Sequence, residues 1–109
     1  MIPYTDFRRL LTDVSECPDL DAYIAEVGGS VPLDDVTDVI QLLTTIWTMG
    51  REGLTIKSIA AACDISVRQI ALKYGLPTHT VENWSSGKTA PPPWQLPLIA
   101  CVVLSDTII

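Results

Sequence analysis

The chain has 109 residues, 48% of them hydrophobic, and a formal net charge of -6 at pH 7. This length suits one domain with a core of its own, and we expect neither a membrane span nor an N-terminal leader in it. Cys17, Cys63 and Cys101 do not have zinc-ligand spacing, so we expect free thiols, no metal and a cytoplasmic protein.

The first half of the chain predicts three helices from its apolar spacing. The first follows the i, i+3, i+4, i+7 pattern from Phe7, with Thr5 as its N-cap. Pro18 suits the first turn of the second helix, which ends at the glycine pair 28–29. A third, longer helix is predicted to start at Pro32. Its predicted buried stripe consists of Val36, Val39, Ile40, Leu43, Ile46 and Trp47.

The second half predicts four shorter helices. Residues 55–63 place apolar side chains on one face, and Ser66 and Gln69 have capping-box spacing at the start of the next helix. Another helix covers 78–86, and a last one follows the prolines 91–93. The predicted buried faces of the first and last of these helices are Ile56, Ile59, Ala60 and Cys63, and Ile99, Val102 and Val103. Without strand alternation, the chain is predicted to be all-α, a multi-helix bundle of about seven helices.

Residues 67–86 have the features of a helix-turn-helix, in which two short helices are joined by about three or four residues that include a glycine. Ala71 is small enough to lie where the second helix crosses the first. Gly75 tolerates the positive φ that the turn requires. Val81, six residues after Gly75, and Trp84 lie on the side of the second helix that faces the first.

The same spacing occurs one helix earlier in the chain. There Ala60, Asp64 and Ile70 take the places of the small residue, the turn residue and the buried residue. Asp64 suits a positive φ less well than glycine, and Lys73 falls where the later match has Trp84. We favour the later match, and the earlier helix is then expected to pack behind it.

The segment VRQIALKYGLPTHTVENWSSGKTAPPPWQLPLIA resembles the lambda-repressor-like helix-turn-helix of phage Cro and repressor proteins. The likeness covers about residues 56–104. It includes the pattern Pro-x-x-Thr-x-x-x-Trp-x-x-Gly-x-x-x-Pro-Pro, which runs here from Pro77 to Pro92. The resemblance implies that residues 78–86 form a recognition helix that enters the DNA major groove.

The resemblance also implies roles for individual residues. Asparagine can pair with adenine through two hydrogen bonds, glutamate can accept from cytosine, and threonine can contact the thymine methyl group. The residues implied to face base edges are Thr78, His79, Glu82 and Asn83. Phosphate contacts are implied for Arg68, Gln69, Lys73, Ser86 and Lys88.

Charge is divided unevenly along the chain. Residues 1–50 contain two arginines and nine carboxylates, whereas residues 51–109 contain five basic and four acidic side chains. We therefore distinguish an acidic helical N-terminal subdomain, 1–50, from a helix-turn-helix domain, 51–109, packed together as one unit. So few cations predict weak binding by a monomer, because affinity for DNA comes largely from neutralised phosphates. A homodimer would double the contacts.

These patterns predict a small sequence-specific DNA-binding transcriptional regulator. The alternative is an acidic protein-interaction module of phage or mobile-element origin that keeps the helix-turn-helix without strong DNA binding and binds a basic protein partner. The sequence lacks the phosphate loops and nucleophile–base pairs typical of enzymes, so we expect no catalysis and no cofactor. Trp84 is expected in the core, and Trp94 either in the core or at an interface. The candidate dimer contact consists of Val102, Val103, Ile108 and Ile109.

Overall fold

The computed structural model describes residues 2–31 and 34–108. Within this part of the chain, helices are the only regular secondary structure, which confirms the all-α prediction. The seven α-helices are α1 (Tyr4–Val14), α2 (Leu20–Val27), α3 (Val36–Gly50), α4 (Ile56–Ala62), α5 (Val67–Tyr74), α6 (Thr78–Ser86) and α7 (Gln95–Ile108). A short 3₁₀ helix, Gly28–Ser30, follows α2. None of the described helices combines the length and apolar character that a bilayer-spanning helix needs.

Aspartates set the starts of two helices in the first half. The Asp19 carboxylate accepts from the backbone N–H of Ala22 at 2.8 Å, so α2 begins after Asp19 and Pro18 precedes the helix instead of lying in its first turn. The Asp35 carboxylate caps α3 in the same way. The predicted start of α3 at Pro32 lies outside the described residues.

The predicted N-cap of α1 was wrong. The helix begins at Tyr4, and the N-cap position is Pro3, whose carbonyl oxygen accepts from the Phe7 N–H at 3.0 Å. Thr5 therefore lies inside the first turn. Pro3 has the φ of -57° that its ring imposes, and its extended ψ leads directly into the helix, so no side-chain cap is needed to define the start.

The buried face of α3 differs from the predicted stripe. Leu43, Ile46 and Trp47 are buried as expected, but Val36 and Ile40 are 72% and 45% exposed. These two side chains line an open groove beside the end of α2, where no described helix covers them. Helices α1, α2, α4 and α7 all pack against α3. They cover more than one of its faces, so Leu42 and Met49 are buried although they lie off the predicted stripe.

The second half packs onto the first through α4 and α7. Helices α4, α5 and α6 contact one another, and α7 packs against α1, α3 and α4. One continuous core therefore contains Leu10, Ile59 and Leu104. On α7 the prediction was partly right, since Val103 is buried while Ile99 and Val102 are half-buried. The buried face of α7 consists of Ala100, Cys101, Val103, Leu104 and Ser105.

Candidate nucleic-acid interface

The connection between α5 and α6 is a tight three-residue turn. Gly75 ends α5 in the left-handed conformation, with φ 69° and ψ 25°. Its N–H and that of Leu76 both donate to the Ala71 carbonyl oxygen, the latter at 2.9 Å. These bonds satisfy a carbonyl that the helix end leaves free, and the positive φ suits glycine. The turn therefore redirects the chain within three residues, and Pro77 occupies the N-cap position of α6.

Small and apolar side chains hold α6 against α5. Ile70, Ala71 and Val81 are at most 1% exposed. Trp84 is half-buried and packs against the core, in agreement with its expected position there. Because Val81 and Trp84 occupy the inner side of α6, Glu82, which lies between them in the sequence, faces outward.

The outward face of α6 carries the four side chains that were expected to read bases. His79 and Glu82 are exposed, and Thr78 and Asn83 are half-buried. The Asn83 Nδ2 and the His79 Nε2 lie 3.4 Å apart, one helical turn from each other. The structure therefore brings these polar groups onto one side of one helix.

A second left-handed glycine defines the end of α6. Gly87 has φ 79°, and the N–H groups of Lys88 and Thr89 donate to the Asn83 carbonyl oxygen at 3.0 and 3.3 Å. The Ser86 hydroxyl donates to the same oxygen at 3.2 Å. These bonds place the exposed Lys88 directly beyond the last turn of α6.

The expected phosphate-binding residues on α5 lie at its two ends. Arg68 and Gln69 are in the first turn and exposed, and Lys73 is in the last turn. The Gln69 Oε1 accepts from the Ser66 N–H at 2.9 Å, which confirms the predicted capping box. The capping bond uses the side-chain oxygen of Gln69, so its side-chain nitrogen can still donate to a phosphate. The Lys73 ammonium lies 5.5 Å from the centre of the Tyr74 ring.

A hydrogen bond that the sequence did not indicate joins α5 to α7. The Tyr74 hydroxyl donates to the Asp106 Oδ2 at 2.7 Å. Burial, and then the hydrogen bond and the negative charge of Asp106, raise the pKa of Tyr74 to about 12. The two residues are 32 positions apart, and no periodic pattern relates them. The contact ties the first helix of the α5–α6 pair to the C-terminal helix.

The earlier α4–α5 pair has a similar local geometry. Asp64 adopts a left-handed conformation with φ 54°, and the Ile65 N–H donates to the Ala60 carbonyl oxygen at 3.0 Å. Helices α5 and α6 each pack against the other and against α4, so the neighbouring helices do not decide between the two matches.

An acidic groove lies between α1 and α2, away from α6. It encloses about 520 Å³ and is lined by three carboxylates, those of Asp13, Glu16 and Glu26, together with Cys17. Arg9, the one basic residue among the described residues that line it, donates to the Ser30 hydroxyl at 2.9 Å and lies 3.7 Å from the Asp6 carboxylate. Burial and the surrounding carboxylates raise the pKa of the Cys17 thiol. The thiol is thus protonated at neutral pH and is a poor nucleophile.

Cys63 and Cys101 are buried free thiols, whereas Cys17 is half-buried. Burial also raises the pKa of both buried thiols. The Cys101 thiol donates to the Ile2 carbonyl oxygen at 3.6 Å. These two cysteines therefore act as small apolar residues of the core.

One expectation for the apolar residues is wrong, and one open alternative is decided. Val103 is 1% exposed and therefore cannot form part of a surface dimer contact. The corresponding expectation for Ile109 and for the side chain of Ile108 lies outside the described residues. Trp94 is 63% exposed, so it is not a core residue, and only its interpretation as an interface residue remains.

A comparison of the chain with models of protein families finds no match, and comparisons with curated proteins and with solved structures find none either.

Proposed function

We propose that the protein is a small sequence-specific DNA-binding regulator in which α5 and α6 form a helix-turn-helix and α6 enters the major groove. The observation that carries the proposal is the outward face of α6. Its polar side chains are held in place by the buried Val81 and by the left-handed turn at Gly75. A helix that presents polar groups from a rigid support is the usual means of reading base edges.

Each polar residue of this face has a chemical task in the proposal. The Asn83 amide pairs with adenine, the Glu82 carboxylate accepts from the amino group of cytosine, and the Thr78 methyl group contacts thymine. Lys88, beyond the end of α6, and Arg68, in the first turn of α5, neutralise phosphates on either side. The base contacts provide specificity, and the phosphate contacts determine the register on the duplex.

We propose further that two copies bind one DNA site. A single copy offers few cations to the backbone, so its affinity for DNA is low. An apolar groove of about 350 Å³ lies between α5 and α7, and Trp94 and Leu98, 63% and 39% exposed, form part of its lining. These two residues replace Val103 as the proposed contact between copies.

The experiment is selection of binding sites from a random duplex library, followed by fluorescence anisotropy on the selected duplex. Asn83→Ala removes a bidentate contact worth about 1–3 kcal/mol, so we expect it to weaken binding to the selected duplex by about tenfold or more. Binding to an unrelated duplex should change little. Lys88→Ala should weaken binding to both duplexes and lower the slope of log affinity against log salt by about 1 for each bound copy.

Arg8→Ala is the matched control, because it removes an exposed cation from α1. We expect it to leave both affinities and the salt slope unchanged. The proposal is wrong if no duplex is enriched, or if Asn83→Ala and Arg8→Ala have the same effect.

Analytical ultracentrifugation with the duplex gives the number of bound copies, and Trp94→Ser should reduce that number from two to one.

The acidic groove between α1 and α2 supports a second candidate, a module that binds a basic protein. Its three carboxylates line one concave surface, and the one basic residue that lines it in the described part of the chain, Arg9, is already engaged. A lysine-rich helical peptide serves as the probe. If this candidate is right, the peptide binds the wild-type protein and not the Asp13→Asn, Glu16→Gln, Glu26→Gln triple variant, and no duplex is enriched in the selection.

A further inference from the structure

The contact between His79 and Asn83 bears directly on how α6 could read a base. The Nδ2 of Asn83 lies 3.4 Å from the Nε2 of His79. The two residues are four apart, which places them one above the other on the outer side of the helix. The imidazole is exposed, and the amide is half-buried.

The amide of Asn83 has a spare donor in the adenine-binding geometry. Its Oδ1 accepts from the adenine N6 amino group, and one Nδ2–H donates to N7. The second Nδ2–H has no partner on the base. A neutral imidazole whose proton is on Nδ1 presents Nε2 as an acceptor for that second hydrogen. His79 can therefore hold the amide plane without competing with the base.

We infer that His79 is a positioning residue for Asn83, and that its protonation state decides whether Asn83 presents the hydrogen-bonding pattern that reads adenine. This inference rests on the proposed function. In the neutral state, the His79 Nε2 accepts from Asn83 and leaves Oδ1 directed at the base. In the protonated state both ring nitrogens donate. Only the Asn83 Oδ1 can then accept from the ring, so the side-chain amide flips to direct Oδ1 at His79. The adenine N6 amino group then has no acceptor on Asn83.

The charged groups around α6 come from the helix itself and from the helices packed against it. Helix α6 itself carries Glu82, and Lys88 follows it. The two helices that pack against α6 carry Lys57 on α4, and Arg68 and Lys73 on α5. Histidine is the side chain whose ordinary pKa lies between pH 5 and 8, and the chain contains one histidine. The His79 variants below therefore decide whether a pH effect on this surface comes from this side chain.

The binding test measures the ratio of affinities for the selected duplex and for the same duplex with the contacted adenine replaced by guanine. The ratio is followed from pH 8 to pH 5.5 at constant ionic strength. For the wild-type protein we expect the ratio to fall by about tenfold, the value of one good bidentate contact. Binding to the guanine duplex should strengthen slightly, because the imidazolium adds a positive charge near the phosphates.

Two variants separate positioning from a structural role. Gln at position 79 retains a side-chain acceptor that does not titrate, so His79→Gln should keep a high ratio at every pH. His79→Ala should have a low ratio that does not change with pH. If the wild-type ratio is constant between pH 5.5 and 8, or if His79→Ala retains its pH dependence, the positioning role is wrong.

A measurement on the free protein tests the contact without DNA. Nitrogen chemical shifts of the imidazole at pH 8 should report the Nδ1–H tautomer, and the Asn83 side-chain amide signals should move with the His79 titration. The Nε2–H tautomer, or amide signals that stay fixed, would overturn the inference even if no DNA site exists. Specific binding that Asn83→Ala abolishes, together with a pH-independent ratio, would overturn this inference and leave the proposed function standing.

Discussion

Single polar side chains connect parts of this molecule that are far apart in the sequence. The buried Tyr23 hydroxyl donates to the Leu10 carbonyl oxygen at 2.7 Å and so joins α2 to α1. The Tyr74 hydroxyl joins α5 to α7 through Asp106. The first bond satisfies a buried polar group that packing would otherwise isolate from water, whereas the second lies at an exposed position. These residues therefore contribute a fixed helix arrangement in addition to buried apolar area.

The Tyr74 bond predicts a dependence of stability on pH. The pKa of Tyr74 in the folded protein is raised from 10.0 to about 12. A raised pKa of this kind contributes stability that is fully present below about pH 10 and is lost as the pH rises towards about 12. Tyr74→Phe should lower the free energy of unfolding by about 1 kcal/mol at pH 7. It should also reduce the loss of stability between pH 7 and pH 11, measured by urea denaturation.

Tyr4→Phe is the control for Tyr74→Phe, because it removes a phenol hydroxyl from α1 instead of from the α5–α7 contact. We expect this control to keep most of the wild-type pH dependence. Equal effects of the two variants would show that the Tyr74–Asp106 bond does not stabilise the fold.

At the scale of single helices, the ends were set by local hydrogen bonds and by backbone conformation. Ser66 and Gln69 were predicted as a capping box because each can satisfy a free N–H of the other, and this bond pair is present. Asp19 was overlooked because Pro18 before it is also a common helix-start residue. The carboxylate at the cap decided the start of α2, since it satisfies an N–H that the proline cannot.

Gly75→Ala tests the turn between α5 and α6. A Cβ at this position would meet no atom within 4 Å, so the cost is purely one of conformation. An L-residue at φ 69° is disfavoured by about 1–2 kcal/mol, and we expect the free energy of unfolding to fall by that amount. Urea denaturation at neutral pH measures it.

Gly29→Ala is the matched control for Gly75→Ala. Its added Cβ also meets nothing within 4 Å, and Gly29 does not have a positive φ. The change should therefore leave the free energy of unfolding within about 0.5 kcal/mol of the wild-type value. A loss at Gly29 as large as that at Gly75 would contradict the conformational explanation.

At the scale of the whole molecule, the acidic and near-neutral halves share one core. Leu42 and Ile46 of the first half belong to the same cluster as Val81 and Leu104 of the second. Charge and packing therefore divide the chain differently, because charges lie on the surface while apolar side chains of both halves meet inside. The acidic groove and the outward face of α6 are separate surface regions around this core.

The shared core predicts cooperative unfolding of the two halves. In a Trp84→Phe, Trp94→Phe variant, fluorescence reports on Trp47 in α3, and in a Trp47→Phe, Trp94→Phe variant it reports on Trp84 in α6. In each variant the urea midpoint from fluorescence should coincide with the midpoint from far-ultraviolet circular dichroism, as for a two-state domain. Loss of the Trp84 signal at a lower urea concentration would instead indicate two independently stable parts.

The sequence by itself determined the helical class, the bounds of α6 and the inner position of Val81, because apolar periodicity and the turn residue Gly75 act over a few neighbouring positions. Only the tertiary structure decided which apolar residues remain exposed. Val36 has the same local pattern as buried residues, but none of the described helices covers it. The bond between Tyr74 and Asp106 likewise depends on how α7 returns to α5. Such long-range contacts follow from packing of the whole chain, which local spacing does not specify.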